Sequence, residues 1–318
     1  MKRIIFLLTL TCSTLIPLSA QCANEIWAYL YKGEEKYFPT TSPITDVACF
    51  SASVDGDGRL TGGHVTPPSL PTQNLRYHLV VTIPWNTTLA HIYLNPELPL
   101  RDRIIADIVE RSKGFDGVQI DFESIDAADA TNYLRFLAAV KRALPKDKLF
   151  SVAVMARWKE YRDANPTDAF DYASINMIAD RVVVMAYDEH ARGGTAGPIA
   201  SLPWCQKIYA YAVQNIDSDK LIMGIPLYGR SWQKETTTRA FRNQEIWSDL
   251  NTRQVEATSS SSTGGHYTYS TRVNIDVYFE NLPSLKAKMQ LYESQPTQGI
   301  AFWRIGQEPL NFWGEIPK

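Results

Sequence analysis

The sequence predicts an α/β fold: a (β/α)8 TIM barrel with a small α+β insertion between its seventh and eighth strands. Three observations carry this expectation. Eight strand-like runs alternate with helical segments along the 318 residues. The run Arg181–Asp188 is almost continuously apolar at its start, as a parallel strand buried on both faces is. Polar and aromatic residues gather where strand-like runs end, namely Glu123, Tyr187, Asp188, Tyr228, Arg230 and Trp303. Active residues of such barrels sit at those C-terminal ends. The rival arrangement is a doubly wound open sheet. Its dinucleotide-binding form needs a G-x-G-x-x-G turn after a strand, and none of the runs has one.

In chain order, Ile26–Tyr31 is the first strand and Asp46–Ser53 the second, closed by the turn Asp55-Gly-Asp-Gly58. No Glu follows that turn at the spacing of a calcium loop. Tyr77–Pro84 is the third strand. Arg101–Lys113 is helical, because Ile104, Ile105, Ile108 and Val109 recur at helix spacing between charged residues. It leads into the fourth strand, Val118–Phe122. A helix over Ala127–Leu144 is stopped by Pro145. Leu149–Met155 is the fifth strand, Asp171–Asp180 a short helix and Arg181–Asp188 the sixth strand. Pro203–Asn215 is a helix, Leu221–Pro226 the seventh strand, Ser284–Tyr292 a helix and Gln298–Trp303 the eighth strand. The connection between the last two strands is too long to lack structure of its own. Its part over about 231–281 is the expected insertion. Its aromatics Trp232, Trp247, Tyr267, Tyr269 and Tyr278 fit an independent small core, with one or two free to line a wall beside the active face.

The formal net charge is -2 and the pI about 6.2, so neither nucleic acid nor an anionic membrane surface is an expected partner. The first 20 residues read as an export signal: Lys2 and Arg3, an apolar run from Ile4 to Leu18, then Ser19-Ala20. That run is short for a transmembrane span, and no later run matches it. Simple export to the periplasm, cell surface or medium is the favoured reading. A second reading makes Cys22 the lipidated first residue, although Gln21 before it is unusual for that. The unit expected to fold is 24–318. Cys49 and Cys205 read as small buried hydrophobes; a disulfide between them is allowed by export but not indicated. The five histidines show no paired ligand spacing, so neither a metal nor another cofactor is expected.

The fourth strand carries the chemistry. In Phe115-Asp-Gly-Val-Gln-Ile-Asp-Phe-Glu-Ser124, the residues Val118, Ile120 and Phe122 share one face, and Gln119, Asp121 and Glu123 the other. Side chains two apart on a strand lie roughly 6.6 Å apart. Two carboxylates on a strand that is otherwise apolar are costly unless that face opens into a polar cavity or does chemistry. The bland alternative is an edge strand with a solvated acidic face.

Asp116, Gly117, Asp121 and Glu123 match the DGxxxDxE strand of the family 18 glycoside hydrolases, and the chain resembles these chitinase-like enzymes. Met185-Ala-Tyr-Asp188 is similar to their M-x-Y-D segment. Gly224-Ile-Pro-Leu-Tyr-Gly-Arg230 is similar to their GxPxYGR stretch, and Trp303 to the indole beneath the cleaved sugar. A narrower match, Tyr187-Asp-Glu-His190 with Ala196–Trp204, resembles the bacterial branch of spore cortex-lytic N-acetylglucosaminidases. Members of that branch often carry LysM modules, and no such stretch is read here. The resemblance runs from the first strand to Trp303, loosely in the first strands outside the motif.

The resemblance implies a retaining, substrate-assisted hydrolase acting next to N-acetylglucosamine in peptidoglycan, chitin or a related glycan. Glu123 would protonate the leaving oxygen and then activate water. Asp121 would accept from the acetamido N–H and, by its charge, raise the pKa of Glu123. Tyr187 would donate to the acetamido carbonyl. Asp188, Trp303, Tyr228, Arg230, Met185 and Gln119 are the expected substrate-binding positions. The sequence departs from the family at Gln119, where many chitinases carry Asp or Asn. Its amide is expected to donate to Asp121, leaving activity with an altered pH profile. Two other readings use the same fold: a chitinase-like lectin that binds glycan without cleaving it, which typically lacks the acid that Glu123 supplies, and a surface attachment protein that merely keeps the barrel.

Overall fold

The structure is a computed structural model that describes residues 24–159, 169–233, 236–270 and 274–316. The stretch read as an export signal, and Cys22, lie outside the described residues. The chain opens with β1 (Glu25–Tyr31), β2 (Asp46–Val54), the short β3 (Leu60–Thr61) and β4 (Arg76–Thr82). Helices α1 (Thr87–Leu94) and α2 (Pro99–Arg111) lead to β5 (Gly117–Asp121). Next come α3 (Ala130–Ala143), β6 (Leu149–Met155), α4 (Tyr172–Asn176), β7 (Arg181–Met185), α5 (Leu202–Asn215) and β8 (Leu221–Pro226). The insertion holds β9 (Gly229–Gln233), β10 (Thr236–Phe241), α6 (Asn243–Arg253), β11 (Thr258–Ser260), β12 (Gly264–Ser270) and β13 (Asn274–Phe279). Helix α7 (Leu282–Glu293) and β14 (Gly299–Trp303) complete the order.

Eight strands run parallel in the order β1-β14-β8-β7-β6-β5-β4-β2, and β2 pairs back onto β1. The sheet is therefore a closed barrel, as expected. Among the described residues, the first two connections carry no α-helix. A single 3-10 turn at Glu35–Tyr37 and the antiparallel β3 take their place. Helix α1 escapes the sequence reading because it is short and follows directly on Pro84. Its start is nevertheless marked, since the Asn86 side chain accepts from Leu89 N at 3.1 Å. Helix α3 shows the expected stripe, burying Tyr133, Phe136, Leu137 and Val140 against the barrel.

Alternation along each strand divides the core into two. Trp27, Tyr29, Ala48, Val80, Val183, Ile222 and Ala301 pack inside the barrel. Their neighbours Val118, Ile120, Val152, Val182, Val184 and Ile300 face the helices. The N-terminal end of the barrel is closed by charge rather than hydrocarbon. Glu25 takes two hydrogen bonds from Arg181 at 2.7 and 3.0 Å, one from the Trp27 indole at 3.0 Å, and an ion pair with Arg76 at 2.8 Å. Asp46 pairs with the same Arg76 at 2.8 Å and with His78 at 2.7 Å, and the His78 ring stacks on Trp27. Burial alone would raise the Glu25 pKa. The hydrogen bonds from Arg181, Arg76 and Trp27 outweigh it and hold the carboxyl at about 2.

The insertion is an antiparallel sheet in the order β10-β9-β13-β12-β11 with α6 across it. It begins at Gly229, slightly before the expected boundary. Ile246, Leu250, Tyr267, Val277 and Phe279 form its own core. Trp232 does not join them; it packs with Tyr228 and Ile199 beside Tyr187 and Trp303. Cys49 and Cys205 are buried free thiols.

Candidate active site

The residues singled out in the sequence meet at the C-terminal mouth of the barrel. Their placement starts at the other end of β5. Asp116 accepts from Tyr77 N at 2.7 Å while its own N–H donates to Tyr77 O, which pins β5 to β4. A Cβ on Gly117 would lie 2.4 Å from His78 Nδ1 and 2.6 Å from the Leu149 carbonyl, so only glycine fits there. The first two residues of the motif thus fix register, Thr82 opposite Asp121 and Ile120 opposite Val152. Phe122 turns outward to stack on Phe136 at 5.4 Å. Asp121 and Glu123 are left facing the mouth.

Gln119 is wholly buried one step below them. Its carbonyl accepts from the Tyr29 hydroxyl at 2.7 Å and its amide donates to Ser151 Oγ at 3.3 Å. The expected bond to Asp121 is not made: Asp121 Oδ1 is buried without a hydrogen-bond partner. Burial pushes the Asp121 carboxyl well above the usual carboxylate range, and the neighbouring Glu123 charge adds to this. Burial also raises Glu123, and the charge that follows it as a cause is that of Asp188. The expectation named Asp121 alone; burial and the Asp188 charge act on Glu123 as well, and Asp121 and Glu123 influence each other. Asp121 is only 4% exposed and is the costlier of the two to ionise.

A second group comes from the ends of β7 and β8. Met185, on the inward face of β7 with Val183, is buried, and Tyr187 continues that face. A Cβ on Gly224 would lie 2.8 Å from the Tyr187 ring, which explains the glycine of the GxPxYGR stretch. Asp188 adopts φ 60°, a left-handed turn that Asp tolerates better than most residues. There its Oδ1 accepts from Arg230 at 2.6 Å and from the Tyr228 hydroxyl. Burial raises the hydroxyl pKa values of Tyr187, Tyr228 and Tyr29 well above normal, so each is a standing proton donor. Trp303 lies between the two groups, its ring 6.4 Å from Tyr187, 5.1 Å from Tyr29 and 4.7 Å from Phe50.

Each of the nine expected positions lies at this mouth or directly beneath it. Several contributors were not singled out beforehand: Tyr29, Phe50, Ser151, and the exposed indoles Trp85 and Trp158 that follow β4 and β6 on either side of β5. The signal for Tyr29 is present, since Trp27, Tyr29 and Tyr31 alternate with smaller apolar residues. The histidines have other work. His64, His78, His91 and His266 face Glu35, Asp46, Asp129 and Asp276, and His190 faces the Pro198 carbonyl.

This arrangement can bring two carboxyls with raised pKa values, a phenol donor and a flat apolar floor to one pyranose ring. Known proteins resemble the chain in sequence and fold. The chain is 31% identical over 208 residues to the uncharacterized glycosylase YvbX of Bacillus subtilis, covering 64% of this chain and 60% of that protein. It is 25% identical over 280 residues to the cortical fragment-lytic enzyme of the same organism, covering 83% of this chain and 65% of that one. It thus spans less than two thirds of these curated relatives. Among solved structures, the spore cortex-lytic enzyme SleL of Bacillus cereus superposes with a TM-score of 0.79 at 24% identity, over 92% of this chain and 73% of that one. The chitinase-like agglutinin RobpsCRA of Robinia pseudoacacia gives 0.70 at 17% identity, over 91% and 97%. At such identities the likeness is one of fold. The model of the glycosyl hydrolases family 18 matches residues 101–308, and the chain belongs to that family.

Proposed function

We propose that residues 24–318 are an exported glycosidase that cleaves β-1,4 links next to N-acetylglucosamine, with peptidoglycan the first candidate and chitin or a related glycan next. The observation that carries this reading is the pairing of Asp121 and Glu123, two carboxyls with raised pKa values whose charges also act on Tyr187, which stacks against Trp303. The names of the cortical fragment-lytic relatives favour peptidoglycan. Among the described residues, no helix is long and apolar enough to cross a membrane.

In this mechanism the sugar stacks on Trp303, with Asp188 and the arginine and tyrosine bound to it holding hydroxyls. The acetamido N–H donates to Asp121, whose Oδ1 has no other partner, and this bond favours its charged form. A proton shared between Asp121 and Glu123 then resides on Glu123. Glu123 gives it to the glycosidic oxygen as the C1–O bond breaks, and the acetamido oxygen closes on C1 with Tyr187 donating to it. Water, losing a proton to Glu123, opens the cyclic intermediate from the opposite face, so configuration is retained. Gln119, a neutral group held by Tyr29 and Ser151, leaves Glu123 as the only carboxyl on the motif face with which Asp121 shares a proton. Trp85 and Trp158 offer apolar faces where a glycan running past Glu123 would lie.

Proton NMR of the first-formed product from an N-acetylglucosamine oligomer tests this. The β anomer appears first if the mechanism holds. The α anomer first, from water attacking without an internal nucleophile, would overturn it.

A further inference from the structure

We propose that Glu34, outside the reacting cavity, is a positioning residue that fixes the Trp303 floor by clamping Arg304 and Arg242. The inference rests on the reading of Trp303 as the sugar floor. Glu34 sits in the tight turn after β1, where its N–H donates to Tyr31 O at 3.0 Å and its carbonyl accepts from Tyr37 N at 2.9 Å. Its two carboxylate oxygens are divided. Oε1 accepts from Arg242, at the start of α6 in the insertion, and Oε2 accepts from Arg304, the residue that follows Trp303. These partners lie 208 and 270 residues away in sequence. Each guanidinium also lies on a ring of the same turn, Arg304 over Tyr31 at 4.1 Å and Arg242 over Tyr37 at 4.6 Å.

The clamp is sheltered, with the Glu34 side chain 14% and that of Arg304 18% exposed, so it differs from a solvated surface pair whose geometry is loose. It joins three segments distant in sequence: the β1 turn, the end of β14 and the insertion. Trp303 is held from the same side, its ring edge-on to Tyr31 at 6.1 Å, and Ile305 N donates to Tyr29 O at 3.0 Å. Without the carboxylate, two guanidiniums face each other across the turn with no anion between them. The end of β14 is then free to shift and the indole face with it. The reacting carboxyls lie at and just after the end of β5, on the other side of the mouth, and remain in place. Loss of the clamp therefore weakens sugar binding more than it slows the chemical step.

The test measures kcat and KM on a soluble N-acetylglucosamine oligomer, with melting temperature alongside, for the parent and for Glu34→Gln, Arg304→Gln, Arg242→Gln and the Glu34→Gln/Arg304→Gln pair. Arg304→Lys is the milder variant should Arg304→Gln not fold. Glu34→Gln is expected to raise KM about tenfold with kcat within about twofold. Arg304→Gln should match it, the pair should be no worse than either single change, and Arg242→Gln should move KM by less than about threefold. An unchanged KM in Glu34→Gln, or effects of the Glu34 and Arg304 changes that multiply, would overturn the clamp. Oligomer affinity measured with Glu123→Gln as background separates this from the enzymatic reading. A parent that binds without cleaving overturns only the latter, and the same tenfold change is then read in Kd. A parent that does neither overturns both.

Discussion

The charged plug at the N-terminal end of the barrel makes a quantitative prediction for Glu25→Gln. The Glu25 pKa is held at about 2 against an ordinary value of 4.5. At about 1.36 kcal/mol per pH unit, that gap corresponds to about 3 kcal/mol of stability. The sign follows from which state binds protons. The unfolded chain protonates Glu25 near 4.5 while the folded chain keeps it charged, so the contribution is complete above 4.5 and is lost as pH falls from there to about 2. Glutamine keeps the shape but not the charge, and leaves Arg181 and Arg76 without their shared anion. The variant should lose about 3 kcal/mol at pH 7, or roughly 5–10 °C in melting temperature for a chain of this size. Its stability should also fall less steeply than the parent's below pH 4.5. Urea melts at pH 7 and at a series of acid pH values read both effects. A loss below about 1 kcal/mol at pH 7, or an acid slope identical to the parent's, would refute the reasoning.

Two further predictions concern the mouth. Gln119→Asp adds a third carboxyl beside the pair, which raises the pKa of its neighbours, so the basic limb of the pH–rate curve should move to higher pH; superimposable curves would contradict this. Asp188→Asn removes the charge that helps to raise Glu123 and the acceptor of Arg230 and Tyr228. The basic limb should move to lower pH and KM should rise, and a changed KM with an unmoved limb would separate the two roles.

The barrel and most of its mouth were legible in the sequence because they depend on local patterns. Alternation along 118–122 puts Gln119, Asp121 and Glu123 on one face, and the runs before Tyr187, Tyr228 and Trp303 place those residues at strand ends. What stayed hidden depends on contacts between distant segments. Glu25 meets Arg181 across 156 residues, and nothing near either in sequence announces the partner. Spacing points the Gln119 amide at Asp121, but it donates to Ser151 of another strand, while Tyr29 donates to the Gln119 carbonyl. For the pKa of Glu123 the spacing points to Asp121 two residues away, and the fold adds burial and the charge of Asp188. Local spacing shows which groups share a face; which of them touch is decided by barrel closure.

The central claim, that Glu123 is the acid of a glycosidase, is met most directly by one comparison. Parent and Glu123→Gln are given a chromogenic N-acetylglucosamine oligomer and purified peptidoglycan, and release of product is followed. The parent should cleave at least one of them, and the variant should fall by about 10²–10⁴-fold while still binding it. If neither substrate is cleaved and both proteins bind the glycan equally, the barrel is a lectin and the claim is wrong.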